Sequence, residues 1–160
     1  MKDIYGDLVE LAKEGKFDVI IHGCNTYQTM GKGIAKQIKE AFPDMYKADK
    51  NFGTPADYNK LGCYSSAALT LEGGKRILGI NAYTQPDYWS KGDPEDKRYV
   101  DYDAVRLVFR KIKHDYGNKG FKFGFPLIGA GLARGEWSTI ANIIEDEMKG
   151  EDLTLVRYEG

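Results

Sequence analysis

The sequence has no apolar run approaching the roughly 20 residues that a membrane-spanning helix needs, so no membrane segment is expected. Cysteine and histidine are scarce, two of each: Cys24, Cys63, His22 and His114. The N-terminus, MKDIYGDLVE, lacks the apolar core of a secretory leader, so the two cysteines are expected to be free thiols in a reducing cytosol. With the histidines far apart and no cysteine cluster, zinc is not expected, nor is any other metal or cofactor. An excess of charge is also missing. Lys and Arg number 23 against 24 Asp and Glu, a net charge of -1, which provides no global field for nucleic acid or an anionic membrane. A small anion gripped by local backbone groups is compatible with that balance.

What is present is one domain's worth of chain. The 160 residues form a single unit, 1–160, with no linker or repeat. A domain of this length buries roughly 70% of its unfolded surface, so it is expected to fold alone, as a monomer. Apolar and β-branched runs alternate with segments of helical period, the pattern of a layered α/β domain. DIYG (3–6), FDVIIHG (17–23), LGCYSSAAL (61–69), RILGINAYT (76–84), FKFGFP (121–126) and LTLVRY (153–158) read as strands. Apolar stripes at Ile34, Ile38 and Ala41 or Phe42, at Val105, Val108, Phe109 and Ile112, and at Trp137, Ile140, Ala141 and Ile144 read as helices facing the sheet. LVELAKEG is a further helix, Gly73-Gly74 a hairpin turn, and the polar stretch 85–99 a long exposed loop.

Two places invite an anion. After FKFGFP, the segment LIGAGLARGEW passes through Gly129, Gly131 and Gly135 into a helix that begins near Glu136. Glycines let successive N–H groups face a phosphate, and the helix N-terminus adds its dipole; the alternative is a tight turn that uses glycine for backbone freedom. A dinucleotide-binding fingerprint does not fit: the spacing is GxGxxxG, and about 25 residues follow, too few for the rest of such a domain. A P-loop does not fit either, since no Gly-Lys-Ser or Gly-Lys-Thr ends the stretch. The second place is TMGKGIAKQI, where Gly31 and Gly33 precede a helix; two such loops at strand ends suit a diphosphate.

Single residues near these loops each have two readings. His22 ends the strand VIIH and is either hydrogen-bonded structure or a chemical group. Asn25 offers a donor and an acceptor to ribose hydroxyls, or caps its turn. Asp7 either accepts from an exocyclic amine or caps the following helix. Cys24 and His22, two apart on a strand, are not expected to converge as a nucleophile and base. His114 sits near a helix C-terminus, where the dipole favours a cation.

Taken together, GDL (6–8), IIHGCN (20–25), MGKGIA (30–35) and PLIGAGLARGEW (126–137) resemble, in order, the motifs of a macro domain, an ADP-ribose-binding α/β fold. The form IHxCN followed by a glycine loop is similar to that of the yeast-type ADP-ribose 1''-phosphate phosphatases, with the terminal-ADP-ribose glutamate hydrolases as further relatives. The resemblance implies a three-layer α/β/α domain whose mixed sheet of about six strands lies between helices. It implies that Asp7 binds the adenine amine, beside Leu8, and that Asn25 holds the distal ribose, beside Gly23. Met30, Gly31, Lys32, Gly33 and Ile34 would approach the diphosphate and distal ribose, and Ile128, Gly129, Ala130, Gly131, Leu132, Ala133 and Arg134 would wrap the phosphates. His22 falls on the histidine proposed as catalytic in the phosphatases. The implied ligand is ADP-ribose or its 1''-phosphate, and the implied activity is release of that phosphate, with Asp87, Asp101 or Asp103 as an assisting carboxylate. A binding module without turnover and an ADP-ribosyl ester hydrolase are the alternatives. Two positions depart from the pattern: Lys32 replaces a middle glycine, and Ala133 stands where the hydrolases carry an aspartate.

Overall fold

The computed structural model describes residues 1–88, 90–131 and 133–158. All six strands read from the sequence form: β1 (Lys2–Gly6), β2 (Val19–Asn25), β3 (Tyr64–Thr70), β4 (Arg76–Gln85), β5 (Lys122–Phe125) and β6 (Asp152–Tyr158). They make one sheet in the order β1-β6-β5-β2-β4-β3, parallel throughout except for the β3–β4 hairpin, so the sheet is mixed. That hairpin closes at Gly73-Gly74, with Leu71 N–H donating to the Lys75 carbonyl at 2.7 Å.

Helices cover both faces. α1 (Leu8–Lys13), α2 (Gly33–Ala41) and α3 (Pro43–Asn51) pack on one side around Ile20, Ile38, Met45 and Ile77. α4 (Tyr102–Tyr116) and α5 (Trp137–Glu147) pack on the other around Ile21, Val108, Phe109, Phe125 and Ile144. β2 alternates between the two cores, which is why its run VIIH is apolar nearly throughout and buried on both faces. Helix α3 was not legible: PDMYKADKN buries Met45 and Asp49 alone, too few positions to set up a stripe, and its start is marked by Pro43 at the first helical position. In α5 the inward stripe runs through Ile140, Ile143 and Ile144, with Ile143 where Ala141 was expected.

The parallel arrangement places the carboxyl ends of β1, β2, β4, β5 and β6 along one rim of the sheet. The motifs lie at the ends of β1, β2 and β5 on this rim. Asp7 caps α1 by accepting from Glu10 N–H at 3.1 Å, and Asp101 caps α4 by accepting from Ala104 N–H at 3.1 Å.

Candidate functional site: a cleft at the carboxyl ends of the strands

A cleft of about 660 Å³ opens on this rim, within the range of small-molecule sites. One end is formed by Gly6 and Leu8 after β1 together with Val156 and Tyr158 of β6, and Tyr158 is 65% exposed there. The other end is formed by Asn25, Thr29, Gln85 and Tyr88. Between them run two glycine segments, Gly31 to Ala35 on one side and Pro126 to Gly129 with Gly131 and Ala133 on the other.

Both glycine segments border the cleft. α2 starts at Gly33 with Lys32 as its N-cap residue and no side chain capping its first turn, so its N-terminal N–H groups and dipole face the cleft. The second loop is held by its own backbone: Gly135 N–H donates to the Gly129 carbonyl at 2.6 Å, and Tyr99 N–H donates to the Ala133 carbonyl at 2.9 Å. Gly129 has φ 72°, and a Cβ there would lie 2.6 Å from Val100 Cγ2, so this glycine is needed for the turn itself. Gly131 is different, since a Cβ on it meets nothing within 4 Å and would project into open space. Gly23 lets β2 pass beneath the loop, because a Cβ would lie 2.8 Å from Thr84 Oγ1 and 3.2 Å from Ile128. Among the described residues lining the cleft there is no carboxylate and no imidazole, while Lys32 supplies a cation.

The expected ligand residues sort unevenly. Leu8, Gly23, Asn25, Gly31, Lys32, Gly33, Ile34, Ile128, Gly129, Gly131 and Ala133 line the cleft. Asn25 shapes its turn, its Oδ1 accepting from Tyr27 N–H at 2.8 Å and its Nδ2 donating to Thr29 Oγ1 at 3.0 Å, and the residue also lines the cleft. Asp7 and Ala130 are not among the residues that line the cleft, and Met30 is buried in the core with Ile38 of α2. Arg134 turns away, its guanidinium donating to the carbonyls of Pro94 at 2.9 Å and of Glu95, so it ties the long loop down in place of a phosphate. Leu132 and Trp89 lie outside the described residues.

His22 requires the largest correction. Its side chain is 0% exposed, does not line the cleft, and points from β2 toward α3. His22 Nε2 lies 2.7 Å from Asn81 Oδ1, and Asn81 Nδ2 donates to the Met45 carbonyl at 2.9 Å and to Ser65 Oγ at 3.0 Å. With its amide nitrogen committed to acceptors, Asn81 presents its oxygen to His22, which fixes the proton on Nε2. The chain continues through Ser65 Oγ to Tyr83 Oη at 2.8 Å and on to Asp49 Oδ1 at 2.7 Å. Burial lowers the His22 pKa to about 4, the Asn81 bond opposing, so the imidazole is neutral. Cys24 Sγ does approach His22 Nε2, at 3.4 Å, contrary to the spacing argument. Burial first, then the negative Asp49, pushes the thiol pKa well up, so the two form no thiolate-imidazolium pair. Tyr83 is likewise interior, stacked on Phe52 with ring centroids 5.2 Å apart.

Gln85 and Tyr88 come from in or beside the 85–99 stretch read as a long exposed loop, whereas sequence reasoning missed Thr29, Val156 and Tyr158 in the cleft. The available signal was position, since all lie at or just beyond the carboxyl end of a parallel strand. Among the described residues no group of three or more His, Cys, Asp or Glu is placed to hold a metal ion, and no helix is long and apolar enough to cross a membrane.

No family model matches the chain. An uncharacterised 17.5 kDa protein of Enterobacteria phage T4, from the tk-vs intergenic region, is 33% identical over 165 aligned positions, which span 99% of this chain and 97% of that protein. The macrodomain of Thermus aquaticus DarG superimposes with a TM-score of 0.68 at 20% identity, covering 99% of this chain and 97% of that one. The chain belongs to one family with the phage protein and has the macrodomain fold. Thermosipho africanus DarTG, solved in complex with ADP-ribose, superimposes with a TM-score of 0.66 at 18% identity over 98% of this macrodomain and 42% of that chain. In sequence, a DNA ADP-ribosyl transferase-DNA ADP-ribosyl glycohydrolase fusion protein of the same organism is 28% identical over 132 residues, 75% of this macrodomain and 32% of the fusion.

Proposed function

We propose that this macrodomain binds ADP-ribose in the cleft and hydrolyses the bond that joins a substituent to the 1'' position of the distal ribose. The observation that carries the reading is the meeting of two glycine loops and the uncapped α2 N-terminus in a cleft where no described lining residue is a carboxylate, a setting that favours a diphosphate. Tyr158 provides an aromatic platform for adenine at one end, and Asn25 provides a donor and acceptor for the distal ribose at the other. The chemistry proceeds without His22, which the fold uses as a buried hydrogen-bond donor.

Two substituents are supported from different sides. The phosphatase-like motifs favour a 1''-phosphate, and the α2 N-terminus near Gly31 to Gly33 is suited to its charge. The Thermosipho relative, by its name, favours an ADP-ribosyl group carried on DNA. The test is to titrate ADP-ribose by calorimetry and then follow release of inorganic phosphate from ADP-ribose 1''-phosphate beside release of ADP-ribose from an ADP-ribosylated oligonucleotide. Binding with release from either substrate supports hydrolysis; binding with no release from both reduces the function to capture, and absence of binding removes the reading altogether.

A further inference from the structure

Beside the distal end of the cleft lies a second recess of about 170 Å³, lined by Tyr27, Asp87, Tyr88, Ser90, Asp93 and Lys97. It adjoins the cleft. Tyr88 lines both, and Tyr27 N–H is bonded to Asn25, which faces the cleft. Gln85 fixes the entrance, lining the cleft while its Nε2 donates to the Asp87 carbonyl at 2.8 Å.

The three charged residues of the recess are not equivalent. Asp93 Oδ2 is committed to the loop, accepting from Tyr99 Oη at 2.5 Å and from Ser90 N–H at 3.0 Å. Lys97 Nζ lies 3.7 Å from Asp87 Oδ2 and 3.9 Å from Asp93 Oδ2, and sits 4.7 Å from the centroid of the Tyr99 ring, so its charge is shared among acceptors of the protein. Asp87 Oδ1 is buried and has no hydrogen-bond partner among the described residues. A buried carboxylate oxygen in that condition is costly unless a water or a ligand donor meets it. Asp101 and Asp103, the other carboxylates considered for this region, belong to the cap and first turn of α4. The lining therefore holds two carboxylates against one ammonium, beside the rings of Tyr27 and Tyr88, which meet edge to face at 5.5 Å.

We infer that this recess receives the group bonded to C1'' of the distal ribose, and that Asp87 selects there for an uncharged or cationic group bearing an N–H or O–H donor and against a phosphate. The inference rests on ADP-ribose occupying the cleft as proposed above. A donor-bearing group meets the partly exposed Asp87 carboxylate beside the tyrosine rings, whereas a phosphate of about -1.5 to -2 charge meets a net negative wall.

The experiment is calorimetric titration of ADP-ribose and ADP-ribose 1''-phosphate into the native protein, Asp87→Asn and Lys97→Met. The native protein is expected to bind the phosphorylated ligand about 10-fold more weakly than ADP-ribose. Asp87→Asn should shrink that ratio to about 3-fold or less, and Lys97→Met should widen it, opposite shifts that a merely structural role would not produce. Equal or tighter native binding of the phosphorylated ligand overturns the inference, as does an unchanged ratio in Asp87→Asn, and both leave ADP-ribose binding intact as a reading. Failure of the native protein to bind either ligand overturns this inference and the proposed function together.

Discussion

The Nε2 nitrogen of His22 donates to Asn81 Oδ1 across 2.7 Å, and the far side of the same amide, bonded to the Met45 carbonyl at 2.9 Å, fixes the direction of that bond. This pair joins β2 to β4 beneath the cleft and places a neutral imidazole at the head of a buried chain that ends on Asp49. A residue that a motif marks for chemistry is, in this geometry, part of the scaffold.

One consequence is a pH dependence of stability with a definite sign. The folded-state pKa of His22 is lowered to about 4, from an ordinary value of 6.5. The depressed value means that the unfolded chain takes up the proton first, so the contribution is fully present above about pH 6.5 and is lost as pH falls toward 4. At pH 4 the loss is about 3 kcal/mol. Urea unfolding at pH 7 and pH 4 of the native protein and of His22→Gln measures it: the variant is expected to lack this limb of the acid destabilisation. At pH 7 the folded variant should bind ADP-ribose within about 3-fold of the native protein. A loss of binding far beyond that at full folding would return His22 to the site.

The buried chain makes a second prediction at Tyr83. Its hydroxyl donates to Asp49 and meets Ser65, while its ring stacks on Phe52. Tyr83→Phe keeps the stack and leaves the Asp49 carboxyl short of a donor, so a destabilisation of about 1–3 kcal/mol is expected in urea. Because Tyr83 does not line the cleft, ADP-ribose affinity should stay within about 3-fold; a larger change would mean that the interior chain is coupled to the ligand.

How much of this was legible in the sequence follows from what each signal encodes. The strands were readable because apolar runs report burial in a sheet, and GxGxxxG before Trp137 reported a backbone turn that the structure uses as such. α3 was hidden because it presents little more than Met45 to the core. His22 was placed by its motif, although its register offered a contrary sign: it lies an even step from Ile20, on the face covered by α1 to α3. The recess around Asp87 was beyond sequence reasoning, since it depends on how 94–100 folds back onto the second glycine loop through Arg134 and Tyr99.

That fold-back can be tested at Arg134. Its guanidinium bonds the carbonyls of Pro94 and Glu95, so Arg134→Ala should speed amide exchange across residues 90–97. If Arg134 gripped a phosphate instead, the variant would lower the salt dependence of ADP-ribose binding. The expected result is faster exchange with an unaltered salt slope.

The two glycines of the second loop separate a turn requirement from a ligand requirement. At Gly129, φ is 72° and an added Cβ would lie 2.6 Å from Val100 Cγ2, so Gly129→Ala must strain the backbone and push on the core. A destabilisation of about 1 kcal/mol or more is expected in urea. At Gly131 the added methyl meets nothing within 4 Å, so Gly131→Ala should change stability by no more than about 0.5 kcal/mol. The same methyl enters the space that the proposed diphosphate occupies. Calorimetry should therefore show ADP-ribose affinity falling about 10-fold or more in a protein that is as stable as the native one. Undiminished affinity in Gly131→Ala would move the phosphates away from this loop and leave the α2 N-terminus as their main support.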